Sequence, residues 1–197
     1  MLGGTFDPPH IGHLVVAQDV VEGLGLDRLL IVPAARPPHR EAVFPDSVRY
    51  ELTVRAFADA VDIEVSDIEM HRAGPSYTVD TLEAIRDTSA PVTLFCIIGT
   101  DQAREIESWH EYERIPELAH LVVMTRGGDR NGDSLSVSLP YDRIDVTRID
   151  LSSTRVRERL ELGLSIRYLV PESIRADVEA AWRARTARAA ALSTELS

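Results

Sequence analysis

Gly3-Gly4-Thr5-Phe6-Asp7-Pro8-Pro9-His10-Ile11-Gly12-His13 stands at the head of the chain. Adjacent glycines carry no β-carbon and tolerate positive φ, so the backbone there can approach a ligand closely. Backbone N–H groups in such a turn, with the start of a helix near His13, make an anion site. His10 and His13 are three apart, so both rings reach the same side of a first helical turn. There they can donate hydrogen bonds to the oxygens of a phosphorus centre under attack. The plain alternative is a glycine turn with two surface histidines. A two-histidine metal site lacks a third ligand at suitable spacing, so no metal held by the protein is expected.

Working outward, strand-like and helix-like segments alternate, the pattern of an α/β fold with a mainly parallel sheet. Apolar runs at 29–32, 63–65, 92–98 and 120–124 read as strands. The run at 92–98 is the best candidate for a central buried one, and Gly99 ends it. Residues 144–149 alternate apolar and polar, which predicts a strand wet on one face. Leu14, Ala17, Val21 and Leu24 share a helix face that Gly25 ends. Asp46 or Ser47 caps a second helix running to about Ala60, and 76–87 reads as a third. Ser152 or Ser153 caps a fourth and Pro171 opens a fifth. A Gly-rich turn should follow a strand of ~4–6 residues, yet only Met1 and Leu2 precede Gly3. The first strand is therefore expected to be truncated, with a stretch missing upstream.

The chain of 197 residues fits a single domain, 1–197, ordered over about 1–185 with a frayed Ala- and Arg-rich tail. Its formal net charge of -11 argues against a nucleic-acid-coating surface, which needs phosphate-neutralising basic residues. A small phosphorylated ligand needs only a local positive cluster. No apolar run reaches the ~20 residues of a membrane span and no signal peptide is apparent, so the cytoplasm is the expected compartment. Cys96, the single cysteine, has no internal disulfide partner and reads as a buried structural thiol.

The opening segment resembles the signature of the nucleotidyltransferase superfamily marked by His-x-Gly-His, and within it the bacterial nicotinate-nucleotide adenylyltransferases. The resemblance extends over nearly the whole chain. It implies a Rossmann-like fold with helices on both faces, and transfer of AMP from ATP to nicotinate mononucleotide, giving deamido-NAD and pyrophosphate. His10 and His13 would be the catalytic pair, with Gly3, Gly4, Thr5 and Phe6 at the phosphates. Pro33-Ala34-Ala35-Arg36-Pro37-Pro38-His39-Arg40 resembles a loop ending in a basic residue near substrate phosphates, which implicates His39 and Arg40. Ser76-Tyr77-Thr78-Val79-Asp80-Thr81-Leu82 is similar to a helix start that sets Thr78 beside the nicotinate carboxylate. Asp101 resembles an aspartate that contacts nucleotide hydroxyls, and Trp109 a residue that stacks on the nicotinate ring. His110 departs from the tyrosine often found next in that family. Leu151-Ser152-Ser153-Thr154-Arg155-Val156-Arg157 resembles a segment that holds the β- and γ-phosphates of ATP, through Ser152, Ser153, Thr154 and Arg157.

The partners expected are thus ATP and nicotinate mononucleotide, with no nucleic acid and no membrane; a homo-oligomer is compatible with the sequence. Mg²⁺ is expected to assist, carried mainly by the ATP phosphates. Two other readings stay open: an adenylyltransferase acting on nicotinamide mononucleotide or pantetheine phosphate, and a silent nucleotide-binding module. The polar stretch 126–139 has no role legible in its residues.

Overall fold

The computed structural model describes residues 1–39, 41–88, 91–126 and 137–195. Six strands form one sheet: β1 (Leu2–Gly4), β2 (Leu29–Pro33), β3 (Ile63–Val65), β4 (Phe95–Gly99), β5 (His120–Arg126) and β6 (Asp142–Val146). Their order across the sheet is β3-β2-β1-β4-β5-β6, and every neighbouring pair is parallel. β1 lies at the centre, with Leu2 opposite Ile31 on one side and Ile97 on the other. The strand order reverses between β1 and β4. In open α/β sheets a ligand binds outside the carboxyl ends of strands at such a point.

The helices between the strands are α1 (Ile11–Leu24), α2 (Asp46–Ala56), α3 (Thr78–Thr88), α4 (Thr100–Arg104), α5 (Ile115–Leu118), α6 (Ser153–Glu161) and α7 (Glu172–Glu195). They cover both faces, which is why the central strands read as unbroken apolar runs. Successive side chains alternate between two cores. Leu2, Ile31, Ile97 and Val122 join Ala17, Val20, Leu52, Ile174 and Val178 on one face. Val32, Cys96, Ile98, Leu121 and Val123 join Leu82, Ile85 and Ile115 on the other. Cys96 is fully enclosed there and burial pushes its thiol up to about 11, the state of a structural cysteine.

Several boundaries differ from those read in the sequence. β4 begins at Phe95, because Val92 is exposed. β6 lies earlier than 144–149; it is wet on one face as predicted, with Ile144 and Val146 turned inward. Beyond Val146 the ladder stops, and the Thr147 amide donates instead to the Asp19 carboxylate (2.6 Å). α2 ends at Ala56. α3 starts two residues late, since the Ser76 hydroxyl accepts from the Arg36 amide (3.0 Å) rather than joining the helix. Gly25 closes α1 in the left-handed region (φ 60) as expected, its N–H turning back to Val21 and Glu22 carbonyls. α7 is assigned through Glu195.

Candidate active site

β1 delivers the Gly-rich turn to the carboxyl edge of the sheet. Phe6 there takes a positive φ of 48, folding its ring back over the strand end. A β-carbon on Gly4 would lie 3.0 Å from that ring, so any larger residue there would press on Phe6. Asp7 fastens the turn from behind: its buried carboxylate accepts the amides of Val43 (2.8 Å) and Phe44 (2.9 Å).

His10 and His13 then stack at the start of α1, ring centroids 3.7 Å apart. Phe6 covers His13 from the other side at 4.8 Å. Gly12 makes this possible, because a β-carbon there would meet His10 Nδ1 at 3.0 Å. His13 Nδ1 accepts the His10 backbone N–H (3.0 Å). The neutral His13 ring therefore carries its proton on Nε2, a donor for an incoming oxygen. Burial lowers the His10 pKa to about 4, and burial plus the neighbouring His10 holds His13 well below the usual histidine range. Among the described residues His10 Nδ1 has no hydrogen-bond partner. Both rings are neutral near pH 7.

The loop after β2 is held to the same turn by Arg49, a residue the sequence reading passed over. Its guanidinium is fully buried and donates to the carbonyls of Phe44 (3.1 Å), Thr5 (2.9 Å), Ala34 (2.5 Å) and Ala35 (3.0 Å). Burial pulls its pKa below the usual arginine range, while Asp7, Asp46 and Glu69 oppose that pull. One side chain thus fixes the Gly-rich turn, the Pro-rich loop and the approach to α2.

A cavity of about 680 Å³ opens across these elements. Its central wall is Gly3, Gly4, Thr5, Phe6, His10 and His13. One end is aromatic, formed by Tyr77, Trp109 and His110, with His39 and Thr78 beside them. There Tyr77 stacks on His110 at 4.2 Å, and Trp109 also packs against the second core. The other end is formed by Thr147, Arg148, Ile149, Ser152 and Ser153. Asp101 lines the wall with its carboxylate paired to Arg104 (3.2 Å); Gly99 is the N-cap of α4.

Two expected phosphate contacts are placed elsewhere. Thr154 and Arg157 line a separate groove between α6 and α7. Arg157 donates to the Asp7 carbonyl (2.5 Å) and to Thr154 Oγ1 (3.1 Å), and it sits 3.5 Å from the Asp7 carboxylate. Ser153 Oγ donates to the Pro8 carbonyl (2.8 Å). Ser152 caps α6, accepting the Arg155 amide (3.2 Å). This segment therefore clamps the Gly-rich turn, and only Leu151 and its two serines reach the cavity. Arg40 lies outside the described residues, as do residues 127–136 of the polar stretch. Arg148 was missed by sequence reading; its pattern, one arginine before Asp150 in a loop, carries no local signal.

A parallel sheet with a phosphate-ready turn and paired histidines at its switch point is the arrangement of a nucleotide-handling transferase. Residues 1–159 match the family model described as cytidylyltransferase-like, and the chain belongs to that family. A probable nicotinate-nucleotide adenylyltransferase from Thermus thermophilus is 44% identical over 179 residues, covering 91% of this chain and 95% of the relative. One of the same description from Tropheryma whipplei is 42% identical, covering 88% and 92%. Within the larger family, this chain is a member of the nicotinate-nucleotide adenylyltransferases. Among solved structures, a Plasmodium falciparum nicotinic acid mononucleotide adenylyltransferase complexed with NaAD superposes with a TM-score of 0.68 at 20% identity, covering 81% of this chain and 82% of that one. A putative nicotinate-nucleotide adenylyltransferase from Vibrio parahaemolyticus gives 0.67 at 18% identity, covering 90% and 95%. These two share the fold.

Proposed function

We propose that the cavity joins two nucleotides, and that the stacked His10–His13 pair is where they meet. The chain transfers AMP from ATP to nicotinate mononucleotide, giving deamido-NAD and pyrophosphate in NAD biosynthesis. The observation that carries this reading is the pair itself: two neutral imidazoles, one with a fixed Nε2 donor, in the wall between an aromatic end and a serine-rich end. A pyridine ring suits the aromatic end, where Trp109 and Tyr77 offer flat faces.

No covalent enzyme intermediate is needed. An oxygen of the acceptor's 5′-phosphate attacks the α-phosphorus of ATP, and the bond to the bridging oxygen breaks as pyrophosphate leaves with the electron pair. The protein's part is to align the two and stabilise charge on the transferring group. His13 Nε2 donates to a non-bridging oxygen, and Gly3 and Gly4 expose their backbone. Ser152 and Ser153 face the phosphates at the other end, and His39 and Thr78 face the acceptor. The described residues contain no group of three or more His, Cys, Asp or Glu side chains that could hold a metal. His13 Nε2 and the backbone of Gly3 and Gly4 offer phosphate donors, and an Mg²⁺ ion that arrives on ATP would offset part of its charge. Among the described residues no helix is long and apolar enough to cross a membrane.

Pyrophosphate release measured in parallel with nicotinate mononucleotide, nicotinamide mononucleotide and pantetheine phosphate tests the acceptor. Turnover is expected to be fastest with the first. His13→Ala is expected to lower kcat by at least ~100-fold with little change in KM. Unchanged turnover in that variant would remove the histidine pair from the mechanism, and ATP binding without any pyrophosphate release would favour a silent module.

A further inference from the structure

Beneath the aromatic end lies a charged pair that the mechanism above does not use. Glu69 is buried (7% exposed) and lines the cavity. Its Oε1 accepts the Thr81 hydroxyl (2.6 Å), and Arg72 Nη2 stands 3.9 Å away. Arg72 also donates to Thr81 Oγ1 (2.9 Å) and to the Tyr77 carbonyl (3.3 Å). The pair therefore grips the first turn of α3 and the residue before it, where Tyr77 and Thr78 face the cavity. Among the described residues Glu69 Oε2 and Arg72 Nη1 have no hydrogen-bond partner. Buried polar atoms left this way call for an explanation, because most are satisfied.

Resting on the reading of the acceptor as nicotinate mononucleotide, we infer that Glu69 and Arg72 are a balanced charge pair that sets the preference for the acid over the amide. The two mononucleotides differ at one ring substituent, a carboxylate against a carboxamide. A lone buried carboxylate in the wall repels the first and not the second, and charge effects are strong where water is excluded. Arg72 cancels that repulsion and at the same time holds the Tyr77 carbonyl that precedes Thr78. Both are positioning residues; neither needs to touch the substrate. Because their charges are opposite, their removal shifts selectivity in opposite directions, which a loss of local structure would not do.

The test is the ratio of kcat/KM for nicotinate mononucleotide to that for nicotinamide mononucleotide, read by pyrophosphate release at neutral pH and saturating ATP. Arg72→Gln is expected to lower the ratio about tenfold, leaving Glu69 uncompensated. Arg72→Lys keeps the charge and most of the ratio. Glu69→Gln is expected to raise it severalfold, with KM for ATP within about twofold in all three. Should Arg72→Gln fail to fold, the sign of the change in Glu69→Gln decides. Ratios that stay fixed, or that fall in both variants, overturn the inference. A wild-type protein that turns over neither mononucleotide overturns the acceptor reading itself, a result the variants cannot mimic.

Discussion

At His10 the structure holds an imidazole whose pKa is lowered by burial to about 4, against an ordinary 6.5. The unfolded chain then binds a proton more readily than the folded one. Stability is therefore full above about pH 6.5 and falls as pH drops towards about 4. For His10 alone the loss is on the order of 3 kcal/mol at full protonation, and His13 adds to it in the same direction. Urea unfolding at steps from neutral pH to about pH 4.5 should show this decline. His10→Gln should flatten it, and an unchanged slope in that variant would place the acid sensitivity elsewhere. A second effect at this scale concerns Gly12. A methyl group there would press on His10 Nδ1 at 3.0 Å, so Gly12→Ala should displace the ring and cut kcat while the fold persists. Circular dichroism beside the pyrophosphate assay separates the two.

Among the elements, α2 has the widest reach, because Arg49 leaves its buried face to hold carbonyls of two loops. Arg49→Met removes every one of those donors and leaves four carbonyls short. A loss of about 3–5 kcal/mol is expected, measured by chemical denaturation. A loss below about 1 kcal/mol would mean water replaces the guanidinium without strain. The contrast with the opening segment shows what a sequence can display. The glycines, the histidines and their spacing act locally, so their meeting in one turn was readable from eleven consecutive residues. Arg49 makes its contacts with residues 44, 5, 34 and 35, and nothing in its own helix marks it. Glu69 and Arg72 were hidden likewise. For Thr154 and Arg157 the pattern was visible, but their direction was not, since it depends on where Asp7 lies. The alternation of apolar residues gave the α/β class and most strands. It missed α4 and α5, helices too short to show a period.

Across the whole molecule, a negatively charged chain (net -11) binds two anionic substrates, so recognition rests on local donors and not on overall attraction. In the proposed reading, substrates at opposite ends of one cavity would also tie the β2–α3 side to the β6–α6 side. Deamido-NAD at about a hundredfold over its Kd should stabilise the fold by about 2.7 kcal/mol, seen as a rise in Tm. A product that leaves Tm unchanged at that excess would contradict binding in this cavity. The central strand adds something of a different kind. β1 pairs with β2 and with β4, so Leu2 waits for Ile97, and the turn after it is clamped by Ser153 and Arg157. During synthesis β1 is made before both of its neighbours and is among the last strands to find them all. Partners so distant in the chain slow folding. Active enzyme can therefore emerge only once α6 has left the ribosome, and catalytic activity doubles as a report that β1 has found all its partners.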